Sequence, residues 1–332
     1  MGKTCKRLAV FLIASVLLWP ANAVSESREL IPGGQLVGVT VKTDGLVYVG
    51  ASDLGSSPSP ARLGGLKNGD VITKINGITI DDVRSLSENV RPGTKNTLEV
   101  MRGGETLSLN LTPATDPRDG KPKIGAWVRE SVAGLGTLTY IDPKTGEFAA
   151  LGHSISDPDA GIVVPITGGL LKNAQLIGII KGEKGAPGEL SGAFLNDGEV
   201  LGEITENAPS GIKGTFTKMN LSDYLYSGPM ETADIDQVKT GHAEIISTIS
   251  ETGPDVYGID IVSIDKDAND RNFLIKITDP ALLNKTGGIV QGMSGSPIIQ
   301  DGKLVGAVTH VLVNDPTRGY GIFIENMLDA AA

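Results

Sequence analysis

The residues best suited to chemistry lie in Gly292-Met293-Ser294-Gly295-Ser296-Pro297, a serine held between glycines and followed by the apolar pair Ile298-Ile299. Glycines on both sides let the backbone fold closely around one hydroxyl and turn neighbouring N–H groups toward one point. Acyl transfer by serine needs that arrangement, a nucleophilic hydroxyl beside donors for the developing oxyanion. The N–H groups of Gly292 and Ser294 are the expected donors. A serine hydroxyl also needs a base, and the chain has three histidines. His242, in Thr240-Gly241-His242-Ala243, has a turn-like context and reads as a surface residue. His310, in Val308-Thr309-His310-Val311, reads as a half-buried strand histidine with a satisfied hydrogen bond. His153 follows Leu151-Gly152 at the end of an apolar run, a context that delivers a side chain to a cleft, and it is the expected base. For the group that orients the base, Asp157 and Asp159 lie close to His153, whereas Asp279 stands in an Asp-Pro pair that also reads as a turn. Residue types alone leave that choice open. The chemistry requires no cofactor, and so few histidines and cysteines are poor material for a metal centre.

These groups must be positioned by β-structure. Glycine is abundant (44 residues), aromatics are only 4%, and Val, Ile, Leu and Thr recur in short runs between turn signals. The Asp301-Gly302 pair between two apolar runs predicts a hairpin directly after the serine. Leu135 to Ile141, a turn at Asp142 to Gly146, and Glu147 to Leu151 predict another, ending at His153. With 332 residues, two domains are expected. In the first, Leu36 to Val41 reads as a strand, Ser57 to Leu66 as a short helix region, and Asn76-Gly77 as a hairpin turn. Asp82 reads as the cap of a helix carrying Val83, Leu86 and Val90 on one face. Thr97 to Arg102 and Glu105 to Leu111 alternate around Gly103-Gly104. The stretch Ala114 to Lys123 reads as a linker.

At the N-terminus, Lys3, Lys6 and Arg7 precede an apolar run from Leu8 to Trp19, and Ala21-Asn22-Ala23 offers small residues for cleavage. Residues 1–23 are therefore expected to be a secretory signal peptide, or else an uncleaved anchor. A single cysteine, Cys5, excludes disulfides within the chain, and a net charge of −10 argues against nucleic acid as a partner.

The run Gly65-Leu66-Lys67-Asn68-Gly69-Asp70-Val71-Ile72-Thr73-Lys74-Ile75-Asn76-Gly77 resembles a PDZ domain, spanning roughly 31–113. That resemblance implies peptide capture on a sheet edge, here Gly34, Gln35, Leu36, Val37, Gly38 and Val39, facing the helix that carries Leu86. The loop departs from the commonest PDZ form, which leaves open whether the ligand is a free C-terminus. Gly-x-Ser-Gly-x-Pro resembles the nucleophile loop of chymotrypsin-like peptidases, and His153 ahead of Ser294 keeps their chain order. Leu151-Gly152-His153-Ser154-Ile155-Ser156-Asp157, Gln291 to Ile298 and Val305 to Val311 together are similar to the stage IV sporulation protein B peptidases. This likeness covers nearly the whole chain. It implies a mainly β molecule, an N-terminal PDZ domain followed by a chymotrypsin-like double β-barrel over 124–332, with a Ser–His–Asp triad whose acid is Asp279. It also implies cleavage of a membrane-anchored regulator of an intramembrane protease in sporulation signalling, in the space between forespore and mother cell. The polar segment Val24 to Leu30 is a candidate for self-cleavage in trans. Two other expectations stay open, a PDZ-centred scaffold with an inactive barrel and a general quality-control protease of the envelope.

Overall fold

The computed structural model describes residues 28–194, 199–217 and 228–329. The expected signal segment and Cys5 lie outside the described residues. Among those described, no helix is long and apolar enough to cross a membrane.

Short β-branched runs separated by glycine turns close into two barrels. In the first, Leu36–Ala51, Ala126–Ile141, Glu147–Ala150, Gly211–Phe216, Val200–Ala208 and Ile166–Ile180 pair in that order, and the last returns to Leu36–Ala51. Its core holds Val37, Val39, Val41, Leu138, Ile141, Phe148 and Leu171. The second closes through Gly241–Ser247, Asp255–Ile264, Phe273–Ile277, Arg318–Phe323, Lys303–Val311 and Pro297–Gln300. Phe273 and Phe323 meet edge to face in its core, with ring centroids 4.5 Å apart. Closure covers most strand edges, which is how antiparallel sheets of this composition become stable without crosslinks.

A PDZ body packs Leu46, Ile72, Ile75, Leu86, Leu98 and Val100 between a small sheet and the helix Val83–Glu88. Its local devices follow the sequence. Asn76 and Gly77 take φ of 53° and 80° at the hairpin, and the Asp82 side chain accepts from Ser85 N. The motif's Asp70 is buried and forms a bidentate pair with Arg102 at 2.6 Å.

Two expectations need correction. The strand Leu36–Ala51 is not an open PDZ edge. It pairs with Ala126–Ile141 on one side, and its 37–43 portion pairs with Ile166–Asn173 on the other. Gly34 N donates to Leu138 O, and Gly34 O accepts from Thr248 Oγ1. A Cβ on Gly38 would lie 1.9 Å from Phe194 Cε1, so Gly38 is wedged in the barrel wall. Leu86 is buried in the PDZ core. The apolar run Leu36 to Val41 suits a strand covered on both sides as well as it suits an edge, and only the pairing distinguishes them. The stretch Ala114 to Lys123 is also more than a linker. Ala114–Thr115 pairs with Pro122–Lys123, and between them the buried Asp116 carboxylate takes Arg118 and Lys123, which hold its pKa well below the usual carboxylate range.

Candidate active site

Leu151 and Gly152 both adopt left-handed backbone, φ 73° and 69°, where the strand Glu147–Ala150 ends. For leucine that conformation costs on the order of 1–3 kcal/mol, and strain of this kind collects at functional sites. The turn carries His153 out of the barrel wall and into a cavity of about 470 Å³ shared with Ser294, Gly292, Leu135, Val290 and His310.

The glycine-bracketed loop of Ser294 belongs to the second barrel but is fastened to the first. Thr137 N donates to Ser294 O (2.9 Å), Thr137 Oγ1 to Gly292 O (2.8 Å) and Thr139 Oγ1 to Gly295 O (2.9 Å). Within the loop, Met293 N is taken by Val290 O and Gly295 N by Val308 O. The N–H groups of Gly292 and Ser294 have no partner among the described residues. Ser296 is a different kind of residue, buried, with its hydroxyl bonded to Met293 O at 2.7 Å and to Ser247 Oγ at 3.0 Å. It staples the turn.

The Ser294 hydroxyl donates to Thr309 O at 2.6 Å. His153 Nδ1 lies 2.9 Å from Ser154 O. A carbonyl only accepts, so Nδ1 carries the hydrogen and Nε2 is left with its lone pair, the tautomer a general base needs. Burial pushes the His153 pKa down, with the Ser154 carbonyl acting in the opposite sense. Asp279 lies elsewhere in its contacts. Its Oδ1 caps the helix Pro280–Thr286, accepting from Ala281 N (2.8 Å) and Leu282 N (2.9 Å), and it is not part of the cavity lining. Asp157 is buried, accepts from Asp159 N and Ala160 N, and pairs with Arg129, which also holds Asp159. The structure thus places Ser294 and His153 on one cavity and leaves all three candidate acids in other bonds. His242 is exposed, as expected.

His310 is the residue that sequence reasoning undervalued. Its ring centroid lies 4.8 Å from that of His153, and its Nδ1 is buried with no hydrogen-bond partner, contrary to the expected satisfied strand histidine. Burial, then the His153 ring and Arg271, push its pKa down to about 4, against a small opposing effect of Asp270. This predicts an acid-labile core. Above the ordinary histidine range His310 is neutral in both folded and unfolded chains. As pH falls from about 6.5 toward 4, only the unfolded chain gains the proton, so stability declines across that window. His310→Phe should flatten the decline in urea unfolding measured from pH 7 to 4, and an unchanged slope would contradict the assignment.

Two closed barrels with a glycine-bracketed serine and a half-buried imidazole on one cavity make up the double β-barrel architecture expected above, here joined to a PDZ body. The family model for SpoIVB peptidase S55 matches residues 120–328, and a PDZ domain model matches 37–112. The chain belongs to the SpoIVB peptidase S55 family. A probable periplasmic serine endoprotease DegP-like of Rhizobium meliloti (strain 1021) is 34% identical over 116 residues, covering 31% of this chain and 23% of that protein. The zinc metalloprotease RasP of Shouchella clausii (strain KSM-K16) is 39% identical over 104 residues, covering 30% and 24%. The matches span only about a quarter of these relatives. Among solved structures, the active form of the Rv3671c protease from M. tuberculosis matches with 12% identity and a TM-score of 0.33, over 60% of this chain and 73% of that one.

Proposed function

We propose that the protein is an exported serine endopeptidase in which Ser294 attacks the scissile carbonyl and His153 Nε2 takes its proton. The observation that carries this reading is the shared cavity, lined by Ser294, by Gly292, whose N–H like that of Ser294 has no partner among the described residues, and by His153 with its hydrogen on Nδ1. For attack, the Ser294 hydroxyl turns away from Thr309 O, giving up one hydrogen bond worth about 1 kcal/mol. The oxyanion then accepts from Gly292 N–H and Ser294 N–H, and His153 returns the proton to the leaving amine. Water enters by the same path in reverse to release the acyl group.

The Ser154 carbonyl holds the base in its tautomer, a task usually given to a carboxylate, while Asp279, the acid that the family likeness implies, serves as a helix cap. Asparagine caps helices as well as aspartate does. Peptide hydrolysis by the full chain should therefore fall by at least about 10⁴-fold in His153→Ala, but by no more than about tenfold in Asp279→Asn. A fall in Asp279→Asn near 10⁴-fold, the effect of removing a triad acid, would return Asp279 to the triad. No effect of His153→Ala would sink the peptidase reading.

Family membership supports a dedicated signalling substrate, a membrane-anchored regulator of an intramembrane protease cleaved between forespore and mother cell, with self-cleavage near residues 24–30 in trans. Likeness to periplasmic DegP-like endoproteases supports a second reading, broad envelope quality control. Degradation of unfolded casein at rates matching a specific substrate would favour the second.

A further inference from the structure

The strand Ala126–Ile141 is paired with Leu36–Ala51 along one edge, but its other edge meets Glu147–Ala150 only from residue 138 onward. The direction of each amide is fixed by neighbouring bonds. Thr137 N points to Ser294 O and Leu138 N to Gln35 O, so odd-numbered positions address the second edge. Ser131, Ala133 and Leu135 accordingly present N–H and C=O groups that find no backbone partner among the described residues.

The two ends of this edge lie at different places. At one, Val132, Ala133, Gly134 and Leu135 line the cavity that holds Ser294 and His153. At the other, the strand passes the start of the PDZ helix, where Val83 N donates to Glu130 Oε2 at 2.9 Å and Trp127 is 62% exposed. Soluble proteins blunt open edges with charges, prolines or bulges. The stretch Ser131-Val132-Ala133-Gly134-Leu135 has none of the charges or prolines.

We propose that a substrate polypeptide binds as one added strand along this edge, from the catalytic cavity to the PDZ helix, so that both bodies hold a single continuous segment. The proposal rests on the peptidase reading and names how its substrate is held. The occupant is argued from continuity, because a chain paired with Leu135 and Ala133 is already beside Ser294. Apolar walls from Leu135, Leu151, Ile289, Val290 and Val311 suit apolar side chains near the scissile bond. From Arg129 to Leu135 the edge runs roughly 20 Å at about 3.3 Å per residue, so a segment of about six to seven extended residues spans it, cavity included. Backbone pairing supplies the affinity along that length, which makes recognition depend on extension more than on side-chain identity.

The test measures binding, which needs no turnover. Fluorescence anisotropy on the full-length Ser294→Ala protein compares a labelled four-residue apolar peptide with the same core extended by eight residues on either side. Extension on one side should tighten Kd at least tenfold. Ser131→Pro removes one outward N–H and leaves the bonds to Leu36–Ala51 in place, a substitution edge strands tolerate, and it should abolish that gain. As a control independent of folding, N-methylation of alternate peptide residues should abolish the gain in one register and spare it in the other. Equal Kd for all lengths, or a gain that survives both Ser131→Pro and N-methylation, would overturn the proposal. If the native enzyme cleaves the short peptide while extension adds nothing, the added-strand proposal fails and the peptidase reading stands. If extension tightens binding but nothing is cleaved, the reverse holds.

Discussion

Ser294→Ala is expected to lower kcat for peptide hydrolysis by about 10⁴- to 10⁶-fold, the range seen when a peptidase nucleophile is removed. The fold should barely respond. The lost hydroxyl makes one bond, to Thr309 O, and such a bond contributes about 1 kcal/mol. Ser296→Ala should show the opposite balance. Its hydroxyl is fully buried between Met293 O and Ser247 Oγ, so its loss should cost about 1–3 kcal/mol of stability and far less activity. Paired thermal melts and progress curves separate the two serines. An active Ser294→Ala enzyme would mean that the loop has been misassigned.

Gly295→Ala should be among the most damaging single methyls in the molecule's active half. Gly295 has φ 96°, and a Cβ there would sit 2.1 Å from Thr137 O and 2.5 Å from Leu151 N. Both are backbone atoms, and both are fixed, because Thr137 holds the nucleophile loop and Leu151 begins the strained turn into His153. The methyl cannot be accommodated without separating the loop from the first barrel. A loss of about 3 kcal/mol or more is expected from strain and broken bonds together, with activity falling at least about 100-fold from misplacement alone. Gly302→Ala is the control. It has φ 76° at the following hairpin, but nothing lies near the added methyl, so about 1 kcal/mol is expected. Similar urea midpoints for the two variants would show that the loop is not clamped as described.

What was legible in the sequence was local. The turn at Asp301-Gly302, the cap at Asp82 and the exit of His153 after Gly152 follow from conformational preferences of neighbouring residues, and the structure contains each. The tight turn around Ser294, with Gly292 and Gly295 at positive φ, was legible for the same reason. What was not legible depends on pairing between distant segments. Leu36 to Val41 has the pattern of any apolar strand, and its role as a barrel wall follows only from Ala126–Ile141 and Ile166–Ile180 lying on either side. His310 alternates like an ordinary strand residue, and its contact with His153 joins the two barrels. Asp279 before Pro280 carries both an acid and a helix start in the same three residues, and hydrogen bonds to the helix N–H groups decide where its carboxylate goes.

The central claim, an activated serine between the barrels, is tested most directly by reaction with a fluorophosphonate followed by intact-mass and peptide mass spectrometry. The full-length protein should gain one adduct per chain, on the peptide containing Ser294, with no adduct in Ser294→Ala and slow labelling in His153→Ala. Absence of any adduct at Ser294 while the protein hydrolyses peptides, or an adduct on Ser296 instead, would contradict the account.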